Sequence, residues 1–594
     1  MQLSVSRRSL VLVSAIILTG MFLLYAQGTR TLTPSYSAGT YRLKNTEAWQ
    51  PFEMPLAYSS EETQGEVRFS MRVGRGHAGR FRIAADDCIN ALWVNGTAVK
   101  TDLLPTCDFT KGKALLLGPL LHEGTNQIRA TVRNFGGPGT FSITVAGSDP
   151  VLLGLRILLL AAIALTSLVL ACVFRVTGWN AVLWAGLSSG ILLRLIYLFV
   201  TPHDLRGHDT EGHFEYIRFI VEHWALPGAK EGWEFYHPPL YYALSALWVG
   251  IGQFFARPLP LLWLDLQWHA LFASVLSLLL GVWMASMIFP RKEEGRERAL
   301  FVCLLAVFPS LVFFAARINN DVLLALLEYL AFALLLYWWQ KGGTGIWFAL
   351  TLVIAAAMLT KSNALLLLPI AFGCLFVRQG WIHRKKIITG IISLFIILTL
   401  TTWNFTLRDR ATEGHPIMPN ITNLNTALRV DNGLETLMEF NPARVILHPY
   451  NNAWDDESGR SHFWEYYFRS AFFGEFDFGA GLQPLASAIL TSTLLLLPFL
   501  LLGIWEAFRR GWRRTFPFWF SAAVLLAGHI AFRQSAPFST SQDFRYSILL
   551  IVPIGALMLM GISRSPPLLQ KIAIAVTALL CVFCAIFLTS LIFA

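Results

Sequence analysis

Residues 202–237 read PHDLRGHDTEGHFEYIRFIVEHWALPGAKEGWEFYH, and Pro238-Pro239-Leu-Tyr-Tyr242 follows. Acids, histidines and aromatics crowd this segment between two apolar stretches. Asp209, His213, Tyr216 and Ile220 fall at helical spacing, so a short helix is expected to present Asp209 and His213 on one face. A carboxylate there can take a proton from an attacking hydroxyl. A metal site is a second reading, because His203, Asp204, His208, Asp209 and His213 carry the nitrogen and oxygen donors that divalent ions use. The third is a solvated loop whose acids meet only water and neighbouring cations. Composition leaves all three open.

Other ionisable residues stand at the borders of apolar segments. Arg317 and Asp321 are one helical turn apart and could pair, either as a helix-end salt bridge or as part of a site. Lys361 lies between two short apolar segments, where its charge calls for an anionic partner or for access to the interface. Lipid phosphate is one such partner; snorkelling is the plain alternative. Glu328 falls inside an apolar segment and implies a buried partner or protonation. His269 and His529 read as structural histidines, and Arg156 and Arg194 can snorkel.

The elements that must position these groups are membrane spans. Of 594 residues, 55% are hydrophobic and 14% charged, and the apolar residues come in long blocks. Uncharged stretches near the ~20 residues needed to cross the hydrocarbon layer read as transmembrane helices. The net charge of +10 marks cytoplasmic loops rather than a nucleic-acid partner. About thirteen spans are expected, near 9–26, 151–174, 179–200, 268–290, 299–316, 322–339, 346–360, 364–378, 387–403, 485–507, 516–532, 546–562 and 571–594.

Arg7-Arg8 before Ser9–Ala26 reads as a retained anchor with its N-terminus inside. Arg291-Lys292 with Arg296 and Arg298, Arg384-Lys385-Lys386, and Arg509-Arg510 with Arg513-Arg514 are the cytoplasmic markers. That choice puts the segments carrying Asp209, Arg317, Asp321, Lys361 and Arg545 on the outer side. Leu240–Ala256 breaks the parity and is expected to be interfacial or re-entrant. The short spans flanking Lys361 are marginal for a full crossing.

Residues 30–150 change character. Segments 66–73, 79–84, 91–94 and 127–132 alternate like strands, and Asn95-Gly96, Glu123-Gly124 and Gly136-Gly137 supply turns, which suggests a β-sandwich. Ala85-Asp-Asp-Cys-Ile-Asn-Ala-Leu-Trp-Val-Asn-Gly96 with Leu117-Gly-Pro-Leu-Leu-His-Glu-Gly-Thr-Asn126 resembles galactose-binding-like jelly rolls; sugar binding and a scaffold role both stay open. Cys88 and Cys107 alone among seven cysteines lie in a polar region and, if exported, form a disulfide. The domains expected are an anchor (1–29), the sandwich (30–150) and a multi-spanning body (151–594) with exported loops 202–237 and 404–484.

Asp209, His213, Phe214 and Tyr216, with Glu234-Phe-Tyr-His-Pro-Pro-Leu-Tyr-Tyr242, resemble the first exported loop of GT-C glycosyltransferases. The likeness is to the bacterial family 39-like enzymes, related to protein O-mannosyltransferases and lipid A aminoarabinose transferases. An Asp-Glu pair often opens that group's motif. Here Thr210 takes the second place, so Asp209 is the match and Glu211 a displaced substitute. Ala316-Arg-Ile-Asn-Asn-Asp321 and Leu359-Thr-Lys-Ser-Asn-Ala364 are similar to later motifs of the group. Trp403-Asn404 with Arg408 and Gly414-His-Pro416 resemble the start of its long loop, and Trp464–Ser470 with Phe473-Gly-Glu475 its end. Ser541-Gln-Asp-Phe-Arg-Tyr546 before Pro553 resembles its Gln-x-Arg-Tyr-x-x-Pro pattern with an insertion. The resemblance covers about 180–560.

It implies a polytopic α-helical protein of GT-C type in a bacterial cytoplasmic membrane, with the sandwich and site facing the periplasm. The implied reaction moves a sugar from a polyprenyl-phosphate donor to a lipid, polysaccharide or protein acceptor, with inversion. Asp209 would be the base and Glu211 a secondary carboxylate. Lys361, Arg317 and Arg545 would hold the donor phosphate, with Asp321, His213, His237 and Tyr242 completing the substrate-binding set. Related enzymes differ in metal use, so a divalent ion (Mg2+ or Mn2+) on His208, Asp209 and His213 stays open. The competing classes are a transporter or flippase, for which no inverted repeat is evident, and a noncatalytic carbohydrate receptor.

Overall fold

The computed structural model describes residues 7–592 except 45, 47, 53, 55, 61, 87, 108–111, 136, 175–180, 204, 230, 255–258, 380–383, 403, 405–425, 455–458 and 510. The expectations placed on Asp204, Trp403, Arg408 and Gly414-His-Pro416 lie outside the described residues. The chain forms two compact units: Met1–Arg175 with Gly252–Asp265, and Val176–Ile251 with Leu266–Ala594.

In the first unit, helices Arg7–Leu32 and Pro150–Phe174 pack on each other. A side chain at Gly28 would collide with Leu155, so the glycine allows this approach. Between the two helices the chain builds a seven-stranded and a four-stranded sheet. Thr63–Val73 pairs antiparallel with Gly124–Asn134, placing Phe69 opposite Ile128 and Val67 opposite Ala130. Strand periodicity of two turns Val67, Phe69, Met71 and Val73 inward. From the other sheet come Phe81, Ile83, Phe141 and Ile143, and Phe69 meets Phe141 edge-on at 6.1 Å. Each such side chain contributes about 1.5–3 kcal/mol on burial. Asn95 and Gly96 both take positive φ, 51° and 81°, which closes the hairpin between Cys88–Val94 and Thr97–Ala98. Cys88 and Cys107 are joined in a disulfide.

The second unit is helical. Among the described residues of the whole chain, nine helices are long and apolar enough to cross a membrane. A tenth is added if 292–307 and 309–316, bent by 54°, count as one span. The bend falls where Phe308 is held extended (φ −64°, ψ 117°) before Pro309, as the proline ring requires. Thr344–Met358, Ser362–Arg378 and Ile387–Thr402 are apolar but shorter. Thirteen full crossings are therefore not established. Lys361 interrupts the apolar run and leaves helices on either side of it below the usual ~20 residues.

Leu240–Phe254 is a 15-residue helix, and at 1.5 Å per residue it falls well short of the ~30 Å hydrocarbon layer. Its first amide donates to the Leu359 carbonyl at 2.9 Å, tying it to the Lys361 segment. Helices Gln483–Arg509 and Ile551–Arg564 cross where Gly503 and Gly561 face the carbonyls of Leu557 and Phe499. A side chain at either glycine would strike backbone, so the small residues set the approach.

Candidate active site

The first-loop helix forms as its spacing suggested, over Thr210–His223. Asp209 does not share its face with His213. It sits at the N-cap in the left-handed conformation (φ 52°, ψ 32°), and its carboxylate makes no capping bond. Aspartate visits that region at modest cost, because its short polar side chain relieves part of the clash. The Asp209 side chain is exposed, with the Trp233 indole N–H 3.4 Å from Oδ1. Glu211, in the first helical turn, is exposed.

His213 goes inward. Its Nδ1 is 2.8 Å from the Tyr242 hydroxyl, and Tyr242 stacks on Tyr216 with centroids 3.8 Å apart. Burial pushes the His213 imidazole down to about 3, so it is neutral at ordinary pH. His237 lies 2.8 Å from Glu234, a carboxyl only 2% exposed. Burial raises Glu234 to about 7. Glu234 is within electrostatic reach of Asp209, Lys361 and Arg545.

The expected Arg317–Asp321 pair does not form. Arg317 is extended (φ −84°, ψ 134°) and the helix starts only at Asn320, so the one-turn geometry is lost. Asp321 instead binds Lys361 at 2.5 Å, with the Arg545 guanidinium 4.0 Å from its other oxygen. Arg545 also lies 3.8 Å from Asp543 and donates to the Tyr546 hydroxyl at 3.1 Å. Arg317 packs against the rings of Phe314 (5.4 Å) and Phe476 (5.3 Å). Nε of Arg317 and Nε of Arg545 are both buried without a hydrogen-bond acceptor.

The metal trio read from the sequence is rearranged. His213 Nδ1 is committed to Tyr242, and the carboxylate of Asp209 is turned to solvent. His208 instead approaches Glu475 at 3.7 Å and packs on Phe476 at 5.0 Å. Donor atoms of His208, Glu475 and Asp543 lie within 4.8 Å of one another. Burial, with Arg545, Arg317 and Lys361 nearby, holds His208 well below its usual range. Burial and the neighbouring Asp543 raise Glu475, which also senses Asp209. Glu234, Glu475 and Asp543 all stood inside the quoted motifs without being singled out. No local spacing pointed to Glu475 and Asp543, because His208, which they meet, lies far away in the chain; Glu234 pairs with His237 three residues on, a spacing the sequence did offer.

The spans and the family match define the class: a multi-pass helical membrane protein resembling the GT-C glycosyltransferases. More narrowly, residues 241–403 match the family model described as dolichyl-phosphate-mannose-protein mannosyltransferase. Tyr242, Arg317, Asp321 and Lys361 fall inside that stretch, and Asp209 and Arg545 outside it. No curated protein matches the chain.

Among solved structures, an Archaeoglobus fulgidus oligosaccharyltransferase in complex with Zn and sulfate is 12% identical, with a TM-score of 0.42 over 69% of this chain and 53% of that one. The oligosaccharyltransferase AglB of the same organism, in complex with an inhibitory peptide and a dolichol-phosphate, is 12% identical, with a TM-score of 0.38 over 69% and 55%. Arabinosyltransferase EmbB from Mycobacterium smegmatis is 11% identical, with a TM-score of 0.32 over 95% and 54%. The chain spans about half the length of each.

Proposed function

We propose that this chain is a membrane glycosyltransferase that moves a sugar from a polyprenyl-phosphate donor to an acceptor hydroxyl on the extracytoplasmic side. The observation that carries the reading is the pair of buried guanidinium nitrogens, Nε of Arg317 and of Arg545, left without acceptors. A buried donor without a partner costs about 1–3 kcal/mol, more when charged. A phosphate oxygen supplies the missing acceptor, and charge-assisted bonds to it are strong.

Asp209 then acts as the base. The acceptor oxygen attacks the anomeric carbon, its proton passes to the Asp209 carboxylate, and the bond from that carbon to the phosphate oxygen breaks. Attack opposite the leaving group inverts the configuration. The departing phosphate is already an anion, so no general acid is required. Arg317, Arg545 and Lys361 stabilise the charge that grows on it. Asp321 holds Lys361 in position, and Glu234, paired with His237, lies within electrostatic reach of Asp209.

The test uses purified protein in lipid nanodiscs, a panel of polyprenyl-phosphate sugars and an envelope extract as acceptor. Release of polyprenyl phosphate together with a new glycosidic product supports the reading. Movement of the intact donor between leaflets in proteoliposomes, without cleavage, points to a transporter instead.

A further inference from the structure

His208, Glu475 and Asp543 come from three distant parts of the chain, yet their donor atoms lie within 4.8 Å of one another. His208 Nε2 and Asp543 Oδ2 are buried and have no hydrogen-bond partner. The Asp543 side chain is only 2% exposed, and the nearest cation, Arg545 Nε at 3.8 Å, is too far to bond it. The second Glu475 oxygen takes the Tyr466 hydroxyl at 2.9 Å, which orients the carboxylate. We propose that these three side chains bind one divalent transition-metal ion, Mn2+ or Zn2+.

One imidazole nitrogen beside two carboxylates suits these ions better than Mg2+ or Ca2+, which prefer oxygen alone. Two donors at about 2.1 Å from a shared ion are at most about 4.2 Å apart, a spacing the trio reaches with shifts of no more than several tenths of an ångström.

A second acidic group provides the contrast. Donor atoms of Glu439, His462 and Glu465 also lie within 4.8 Å of one another, but Arg444 takes Glu465 at 2.7 Å and Glu439 at 2.8 Å, and Arg469 takes Glu465 at 3.2 Å. There arginines hydrogen-bond both carboxylates; beside His208 the Arg545 guanidinium stays 3.8 Å from Asp543 and leaves Oδ2 without a hydrogen bond. An open cavity of about 400 Å³, lined by His208, Asn451, Glu475, Asp477 and Thr540, gives the ion access and leaves room for a further oxygen ligand. That this ligand is the donor phosphate rests on the transferase reading. The binding of the ion does not.

The test is metal binding by the full chain in nanodiscs, stripped with EDTA and titrated with Mn2+ (read by spin resonance) and with Zn2+ (read by elemental analysis). One equivalent per chain is expected. Glu475→Gln and Asp543→Asn keep side-chain volume, and each should weaken binding by more than about tenfold, the loss seen when only an outer partner of a ligand is removed. His208→Ala should do the same, and Glu439→Gln should change nothing. Melting temperatures measured without metal separate lost ligation from lost folding. No saturable binding by the parent protein overturns the proposal, as does binding unchanged in all three ligand variants. Binding without sugar transfer leaves the site standing and counts against the reaction, so the two readings fail separately.

Discussion

Lys361 Nζ and Asp321 Oδ1 meet at 2.5 Å, a buried ion pair between the start of one helix and the break between two others. Their side chains are 12% and 3% exposed. Removing one partner strands the other's charge, which costs about 3–5 kcal/mol. Lys361→Met should therefore lower stability strongly in a denaturation assay. The double variant Lys361→Met with Asp321→Asn should recover most of it and still fail to transfer sugar. Recovery of transfer as well would show the pair to be structural.

Arg317 makes its contacts through ring faces and keeps a buried donor unused. Loss of one donor to developing charge costs about 10²–10³ in rate. Arg317→Ala should lose about that much in kcat/KM for the lipid donor. Arg317→Lys should recover only part, because an ammonium cannot reproduce the planar fork. Kinetics on both variants, with melting temperatures alongside, check this.

Tyr242 and His213 are a supporting pair. Tyr242→Phe leaves the buried His213 nitrogen without its partner, at a cost of about 1–3 kcal/mol in stability. Transfer per folded molecule should persist. A variant that keeps full stability and loses transfer would move Tyr242 into the chemistry.

Glu234 sets a pH dependence. Its folded carboxyl titrates near 7, above the ordinary 4.5, so the folded state holds a proton that the unfolded state has released. The stability this provides is complete below pH 4.5 and is lost as pH rises through about 7. The loss is about 3 kcal/mol at 1.36 kcal/mol per unit. Melting temperature should fall between pH 5 and 8 in the parent protein, and Glu234→Gln should flatten that slope. An identical slope in both would assign the effect elsewhere.

Much of the architecture could be read locally. Apolar runs marked the helices, period-two alternation marked strands such as Thr63–Val73, and Asn95-Gly96 marked a hairpin turn. The number of full crossings could not, since Lys361 splits an apolar run into helices whose lengths depend on packing. Within the site, one-turn spacing suggested both an Asp209–His213 face and an Arg317–Asp321 pair. Each failed for the same reason: the helix begins later than the pattern, at Thr210 and at Asn320. Glu475 and Asp543 were missed because what brings them to His208 is tertiary packing.

The most direct measurement is the single-turnover rate of Asp209→Asn with a polyprenyl-phosphate sugar that the parent protein uses. Asparagine keeps the size and removes the base. General-base catalysis is worth about 10²–10⁴ in rate, so a drop of that order is expected, with donor affinity and melting temperature unchanged. Transfer at the parent rate would contradict the account.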